Sequence, residues 1–217
     1  KDFIDNMTHE MKTPLTSIIG FSDLLCNARL DEETIHDYAE SIYKEGKYLK
    51  IISSKLMEII LLGQKPEMAP ISVPDLFEEI TAAVEPIAAS REISFSSSSI
   101  PYTLYANREL IKSLLYNLID NAIKASSPGK KVLLFSSLTK QGNLSICVQD
   151  FGIGIPESEQ KKIFEPFYRV DKARSRETGG TGLGLAIVKK IILMHHGTIK
   201  MHSEEDVGTT FTVRLKN

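Results

Sequence analysis

Met7-Thr8-His9-Glu10-Met11-Lys12-Thr13-Pro14-Leu15 lies in a helical pattern whose apolar positions keep a heptad: Ile4, Met7, Met11, Pro14, Ile18, Phe21 and Leu25. With Ile4 at position a, His9 falls at f, in a row otherwise held by Asp2, Thr16 and Asp23. Thr13 shares position c with Asn6, Gly20 and Asn27. Neither row carries a large apolar side chain, so His9 faces away from the helical seam. An exposed imidazole followed at once by the Glu10 carboxylate is chemically usable. Pro14 offers no N–H to the Glu10 carbonyl and its ring clashes there, so the helix should loosen or bend one turn beyond His9. On this stretch alone, a surface histidine on a Pro-kinked helix is the stronger reading.

Outward from that stretch, the first helix is expected to run to about Cys26, with a turn at Asn27-Ala28-Arg29-Leu30. Asp31 is a good N-cap for a second helix. Its apolar row is Ile35, Tyr38, Ile42, Leu49, Ile52, Leu56 and Ile59, broken only by Glu45, and it ends near Gly63 with Pro66 beyond. Two such helices joined by a short turn make an antiparallel hairpin. Phe3, Leu15, Ile19, Leu24, Ile51 and Ile60 add apolar surface outside the seam. Each Leu or Ile left in water forgoes roughly 1.5–3 kcal/mol. Self-association into a four-helix bundle is the natural remedy; a long solvent-bridging coiled coil is the alternative.

The 217 residues suffice for one large domain or two modest ones, with 42% hydrophobic and 25% charged residues. A net charge of −2 and the lack of a basic stripe argue against a nucleic-acid partner. Cys26 and Cys147 stand far apart, outside any CxxC or Cys/His cluster, which suggests a reducing compartment and no zinc. The sequence shows no signal peptide and no apolar run near the ~18–20 residues of a membrane span. It begins with Lys1 inside a pattern already under way, as a fragment would.

Residues 64–70 read as a linker within a stretch, 63–74, that carries three prolines. A mixed α/β pattern follows: a helix at 73–90, short strands at 93–96 and 102–105, and a helix from an Asn107 cap to about Ala125. Strands are expected at 132–138 and 144–150, a helix at 182–194, and a closing hairpin at 198–202 and 209–215.

Four features of this second part point to a nucleotide. Asn117, Asn121 and Lys124 fall at i, i+4 and i+7 on one helix face. Two amide oxygens above a lysine could hold a hydrated metal and its phosphates, or they are an ordinary polar face. Asp150 ends the alternation Leu144, Ile146, Val148, which turns its carboxylate toward the core. A charge there needs a donor: an adenine amino group is one, a structural pairing another. Gly152, Gly154 and Pro156 follow at once and permit close backbone approach to a flat ligand. Finally, Gly179-Gly180-Thr181-Gly182-Leu183-Gly184 leads into a helix, whose N-terminal N–H groups can hold an anion. It is neither a P-loop nor the dinucleotide fingerprint, since no Lys-Ser/Thr follows and Leu185 stands at the third-glycine position. The loop of about 15 residues before it is long for a compact domain. It carries Arg169, Lys172, Arg174 and Arg176 and suits a lid over phosphates, although the last three also fit a solvated loop.

Together these residues resemble the catalytic core of a sensor histidine kinase of the two-component systems, over nearly the whole chain. Thr8 to Leu15 resembles the phosphoacceptor box, with its HExxTP pattern intact. Asn117-Leu118-Ile119-Asp120-Asn121-Ala122-Ile123-Lys124 resembles the N box, Asp150-Phe151-Gly152-Ile153-Gly154-Ile155 the first glycine box, and Phe164-Glu165-Pro166-Phe167-Tyr168-Arg169 the F box. Gly180-Thr181-Gly182-Leu183-Gly184-Leu185 resembles the second glycine box. Each motif is weak to moderate alone, and their joint order and spacing are very specific.

The resemblance implies a fold of two domains. Residues 1–63 would be an all-α hairpin forming a dimeric four-helix bundle for dimerisation and phosphotransfer. Residues 71–217 would be an ATP-binding α/β sandwich of the GHKL (Bergerat) type, a mixed sheet with helices on one face. It implies an autophosphorylating kinase that uses ATP and Mg²⁺, works as a homodimer and passes the phosphoryl group from His9 to an aspartate of a response-regulator receiver domain. Glu10 would take the His9 Nδ1 proton, Asn121 would coordinate Mg²⁺, Asn117 would help position the γ-phosphate and Lys124 would contact phosphate. Asp150 would bind the adenine amino group, Arg169 would approach the γ-phosphate, and both glycine boxes would line the nucleotide. Thr13 would serve dephosphorylation of the regulator, making the protein bifunctional. This portion would lie in the cytoplasm, whether or not the full-length protein is membrane-anchored. The sequence departs from the family pattern after Lys124, where Ala125-Ser126 replace an aromatic residue that flanks the nucleotide. A GHKL ATPase without histidine phosphotransfer would share the Asn, Asp and glycine elements but not the HExxTP box, and a dimeric scaffold would leave the nucleotide residues unexplained.

Overall fold

Two long helices open the chain. In the computed structural model, which describes residues 2–63, 66–171 and 179–216, α1 spans Asp2–Asn27 and α2 spans Glu32–Leu61. Asp31 caps α2 by accepting from the Thr34 N–H at 2.8 Å. The α1 assignment continues across Pro14, which is buried. Around it, the hydroxyls of Thr8, Thr13 and Ser17 donate to the carbonyls of Ile4, His9 and Thr13 at 2.9, 3.3 and 3.3 Å, a common habit of helical Ser and Thr. The rings of Phe21 and Tyr38 meet near the turn, 5.0 Å apart and tilted by 36°.

The seam differs from the heptad at its start. Ile4 is 62% exposed, while Phe3 packs its ring 5.7 Å from that of Phe167 in the second domain. The apolar stripe of α2 is likewise divided between two partners. Tyr48, Ile52 and Leu56 are buried, and they pack with the core of the second domain as well as with α1. Sequence periodicity sees that a face is apolar; it does not see which neighbour covers it.

Residues 69–72, expected as linker and the approach to a helix, form a strand, β1 (Ala69–Ser72), because β3 (Thr103–Ala106) pairs with it antiparallel, Ile71 opposite Leu104. The main sheet has the order β2-β4-β5-β7-β6. Its strands are β2 (Ser94–Ser98), β4 (Lys131–Leu138), β5 (Leu144–Asp150), β6 (Thr198–Glu204) and β7 (Gly208–Leu215). β2 runs parallel to β4 and the other pairs are antiparallel.

Three helices, α3 (Val73–Ala89), α4 (Arg108–Ala125) and α5 (Gly184–Met194), cover one face. Ile80 of α3, Leu114 and Leu118 of α4 and Ile187 and Ile191 of α5 are fully or almost fully buried. They meet Val132, Leu134, Ile146, Val148, Phe211 and Val213 from the strands. Each such side chain contributes roughly 1.5–3 kcal/mol by leaving water. Register places Asp150 opposite Val132, on the same face as Val148 and Ile146, so the carboxylate ends a row of core side chains. At the far end, buried His195 ties α5 to α4. Its Nδ1 lies 2.8 Å from the Ile191 carbonyl, and Nε2 accepts from the Asn107 N–H at 3.1 Å. Burial lowers its pKa, partly opposed by the bond to Ile191.

Candidate active site

A cavity of about 530 Å³ opens between α4, the loop after β5, the stretch around Arg169 and the N-terminus of α5. That volume suits a small-molecule site. Asn117, Asn121 and Lys124 line one wall from successive turns of α4, as their spacing requires. Lys124 is paired with Asp120 at 2.7 Å. Asn117 is buried; its Nδ2 donates to the Ser113 carbonyl at 2.8 Å, and its Oδ1 accepts from the Lys55 ammonium at 2.8 Å.

Asp150 is only 4% exposed and lines the opposite wall. Its Oδ1 accepts both the Gly152 N–H at 2.9 Å and the Thr209 N–H at 3.2 Å. Neither of these N–H groups occupies Oδ2. Burial raises the carboxyl pKa, and the two N–H groups hold it down in part. The chain then returns against α4, with the Ile153 N–H donating to the Ala125 carbonyl at 3.1 Å. Gly154 has φ +65, and a Cβ there would lie 2.0 Å from the Glu204 carbonyl oxygen, so only glycine fits.

Gly180, Thr181, Gly182 and Gly184 line the third side. Leu183 begins α5 without a side-chain cap, which leaves first-turn N–H groups for an anion. The two ends of the long loop are pinned together: the Phe167 N–H donates to the Gly182 carbonyl at 2.9 Å. Phe167 takes φ +67, an uncommon conformation for a bulky residue and a marker of functional loops. Lys172, Arg174 and Arg176, expected in the lid, lie outside the described residues.

Not every expected residue reaches the cavity. Gly152 and Leu183 support its walls from behind, and Leu183 is fully buried. His9, Glu10 and Thr13 lie on α1; His9 and Thr13 are exposed. Glu10 is nevertheless connected to the cavity. Its Oε2 pairs with the guanidinium of Arg169, itself a cavity residue, and accepts from the Tyr48 hydroxyl at 3.0 Å. Arg169 is 4% exposed at its side chain and also donates to Tyr48 Oη at 3.2 Å and the Gly180 carbonyl at 3.3 Å. Burial raises the Tyr48 pKa; the Arg169 charge opposes this and the Glu10 charge adds to it.

Sequence reading missed Tyr48, Lys55, Glu58 and Ser113, which join α2 to this site. The available signal was a second face of α2, Tyr48, Ile51, Lys55 and Glu58, at helical spacing beside the apolar row. Among the described residues, no cluster of three His, Cys, Asp or Glu side chains could hold a metal ion. Asn117 Oδ1 binds a cation, the Lys55 ammonium, and the Asn117 and Asn121 amide oxygens are the donor type that a hydrated Mg²⁺ would take from this wall.

Residues 106–217 match the family described as histidine kinase-, DNA gyrase B- and HSP90-like ATPase, and residues 1–60 match the His Kinase A (phospho-acceptor) domain. The chain belongs to the two-component sensor histidine kinases. It is 35% identical over 219 residues to the sensor-like histidine kinase SenX3 of Mycolicibacterium smegmatis, covering 99% of this chain and 57% of that protein. It is 34% identical to the sensor histidine kinase YkoH of Bacillus subtilis, covering 99% of this chain and 47% of the other. The chain thus spans about half the length of these curated relatives. Among solved structures, the histidine kinase ThkA in complex with the response regulator protein TrrA superposes with a TM-score of 0.80 at 25% identity, over 100% of this chain and 61% of that one. The Acinetobacter baumannii histidine kinase AdeS shares the fold, with a TM-score of 0.73 at 24% identity over 96% and 97% of the two chains.

Proposed function

We propose that this protein phosphorylates itself on His9 with ATP and passes the phosphoryl group to an aspartate of a response-regulator receiver domain. The single observation that carries the reading is the Arg169–Glu10 pair, which joins a cavity-lining guanidinium to the residue beside the exposed imidazole. Asp150 takes the adenine amino group at Oδ2, the α5 N-terminus and Lys124 hold phosphate, Asn121 faces the metal, and Asn117 helps position the γ-phosphate through a water held by that metal. Mg²⁺, when bound, neutralises phosphate charge, which is most of what phosphoryl transfer requires. His9 Nε2 attacks the γ-phosphorus in line, the bond to the β,γ-bridging oxygen breaks, ADP leaves and Glu10 takes the Nδ1 proton. Since His9 does not line the cavity, transfer requires the nucleotide domain to shift along the hairpin and Arg169 to release Glu10.

The hairpin presents Leu15 and Ile19, 50% and 60% exposed one turn apart, and a second copy of the chain is the partner that covers them. The ThkA–TrrA complex supports a receiver domain as the acceptor. Among the described residues no helix is long and apolar enough to cross a membrane, and a cytoplasmic place for this portion is part of the proposal. Incubation with γ-labelled ATP and Mg²⁺ tests it. Wild type should carry acid-labile, base-stable label, and His9→Gln should carry none while still binding nucleotide. Equal labelling of His9→Gln would refute it.

A further inference from the structure

α2 crosses the mouth of the nucleotide cavity, with Ile51 and Lys55 in its wall. The Lys55 ammonium donates to Asn117 Oδ1 at 2.8 Å and pairs with Glu58 Oε2 at 3.3 Å. Glu58 in turn accepts from the Ser113 hydroxyl, and the Ser113 carbonyl accepts from Asn117 Nδ2 at 2.8 Å. This closed ring of Lys55, Asn117, Ser113 and Glu58 sets the Asn117 amide: Nδ2 faces its own helix and Oδ1 faces a positive charge contributed by the hairpin.

An amide oxygen is an acceptor only. It cannot bind phosphate, so with a metal nucleotide in the cavity Asn117 Oδ1 can take Mg²⁺, a water held by Mg²⁺, or an ammonium. The ammonium and the hydrated metal repel one another, so the two compete for that oxygen. We propose that Lys55 is a positioning residue of the nucleotide site, a tethered cation that holds Asn117 Oδ1 and competes with hydrated Mg²⁺ for it. Metal-nucleotide binding then displaces Lys55 from the cavity, and the Lys55 ammonium on Asn117 raises the Mg²⁺ concentration that nucleotide binding needs. Linkage makes the effect reciprocal. Displacement does not strand the charge, since Glu58 lies one turn along the same helix and remains its partner. The inference rests on the proposed reading of Asn121 as metal-facing and of Asn117 as meeting a water held by that metal.

Calorimetric titration with a non-hydrolysable ATP analogue across a series of Mg²⁺ concentrations tests it on the full chain. Lys55→Met should lower the Mg²⁺ concentration for half-maximal affinity roughly fivefold, a modest factor because the ammonium is partly solvated. Adenosine affinity, measured without metal, should not change. Lys190→Met is the control, because it removes a different bond between the domains, Lys190 Nζ to the Ile59 carbonyl at 2.7 Å. It should leave the Mg²⁺ dependence at the wild-type value. An equal shift in Lys190→Met would mean that Lys55 acts only through docking, and would overturn the proposal. So would an unchanged or increased Mg²⁺ requirement in Lys55→Met, the increase marking a lysine that holds phosphate. A wild type that binds the analogue without Mg²⁺ dependence would remove the metal reading itself, and this inference with it.

Discussion

Burial of Asp150 costs the fold, and under the proposed function that carboxylate receives the adenine amino group. Its carboxylate is buried at the end of a core row, and burial raises its pKa despite two backbone donors. A raised native pKa means that the folded state binds more protons than the unfolded chain between the two values. Its contribution to stability therefore falls as pH rises through that window. Asp150→Asn keeps an oxygen for the Gly152 and Thr209 N–H groups and removes the desolvated charge. Without nucleotide the variant should melt no lower than wild type, while adenine nucleotide affinity should fall about tenfold or more, the cost of a lost charge-assisted bond. Calorimetry and thermal melts read the two effects separately, and unchanged affinity would return Asp150 to a structural role. Thr13 is the converse case, an exposed hydroxyl whose bond to the His9 carbonyl is long at 3.3 Å. Losing so weak a bond should disturb α1 little. Thr13→Ala should therefore still label at His9 and, if the protein is bifunctional as the family resemblance implies, lose dephosphorylation of the partner regulator. Parallel loss of both activities would show that the hydroxyl serves helix geometry alone.

Local elements carry their own constraints. The α4–α5 junction depends on a neutral His195 that accepts from the Asn107 N–H while its other nitrogen faces the Ile191 carbonyl. Burial lowers its pKa, so the native state holds the proton less tightly than the unfolded chain. The stabilisation is complete above the unfolded value of about 6.5 and is lost as pH falls from there through the lowered native value. Melting temperature should drop across that interval in wild type, and more gradually in His195→Gln, which has no proton to take up at the junction. Equal slopes would place the acid sensitivity elsewhere. The approach to α5 is held differently. Phe167 keeps a positive φ because its N–H is fixed to Gly182, whose own φ of +70 leaves a Cβ no room beside the Phe167 backbone. Phe167 and Gly182 are thus set against each other by backbone contacts.

Across the whole molecule, α2 divides its apolar surface among α1, the nucleotide domain and open solvent. Tyr48, Ile52 and Leu56 are already covered, whereas Leu15 and Ile19 of α1 and Ile60 of α2 remain exposed. Under the proposed function, a second hairpin packed on the exposed set would give a dimer through residues before Gly63. Light scattering at micromolar concentration should return twice the chain mass for the full chain and the monomer mass for a piece beginning at Pro66, which keeps β1. The pair Leu15→Glu with Ile19→Glu should dissociate the dimer without unfolding the nucleotide domain. A monomeric full chain would rule out the bundle.

Periodicity, caps and glycine spacing carried most of this architecture in the linear sequence. Asp31 and Asn107 start the helices they were expected to start, and the alternation before Asp150 turns its carboxylate inward as read. These are local properties, set by backbone geometry over a few residues, so the wall formed by Asn117, Asn121 and Lys124 could be read before any fold was known. β1 could not, because four residues containing a proline form a strand only where β3 offers them a partner. The division of the α2 stripe, the capture of Glu10 by Arg169 and the ammonium on Asn117 were equally hidden. Each joins residues far apart in the chain, 159 apart for Arg169 and Glu10 and 62 for Lys55 and Asn117. Such pairs follow from how the two domains pack, and no repeat or propensity in either segment encodes the distance between them.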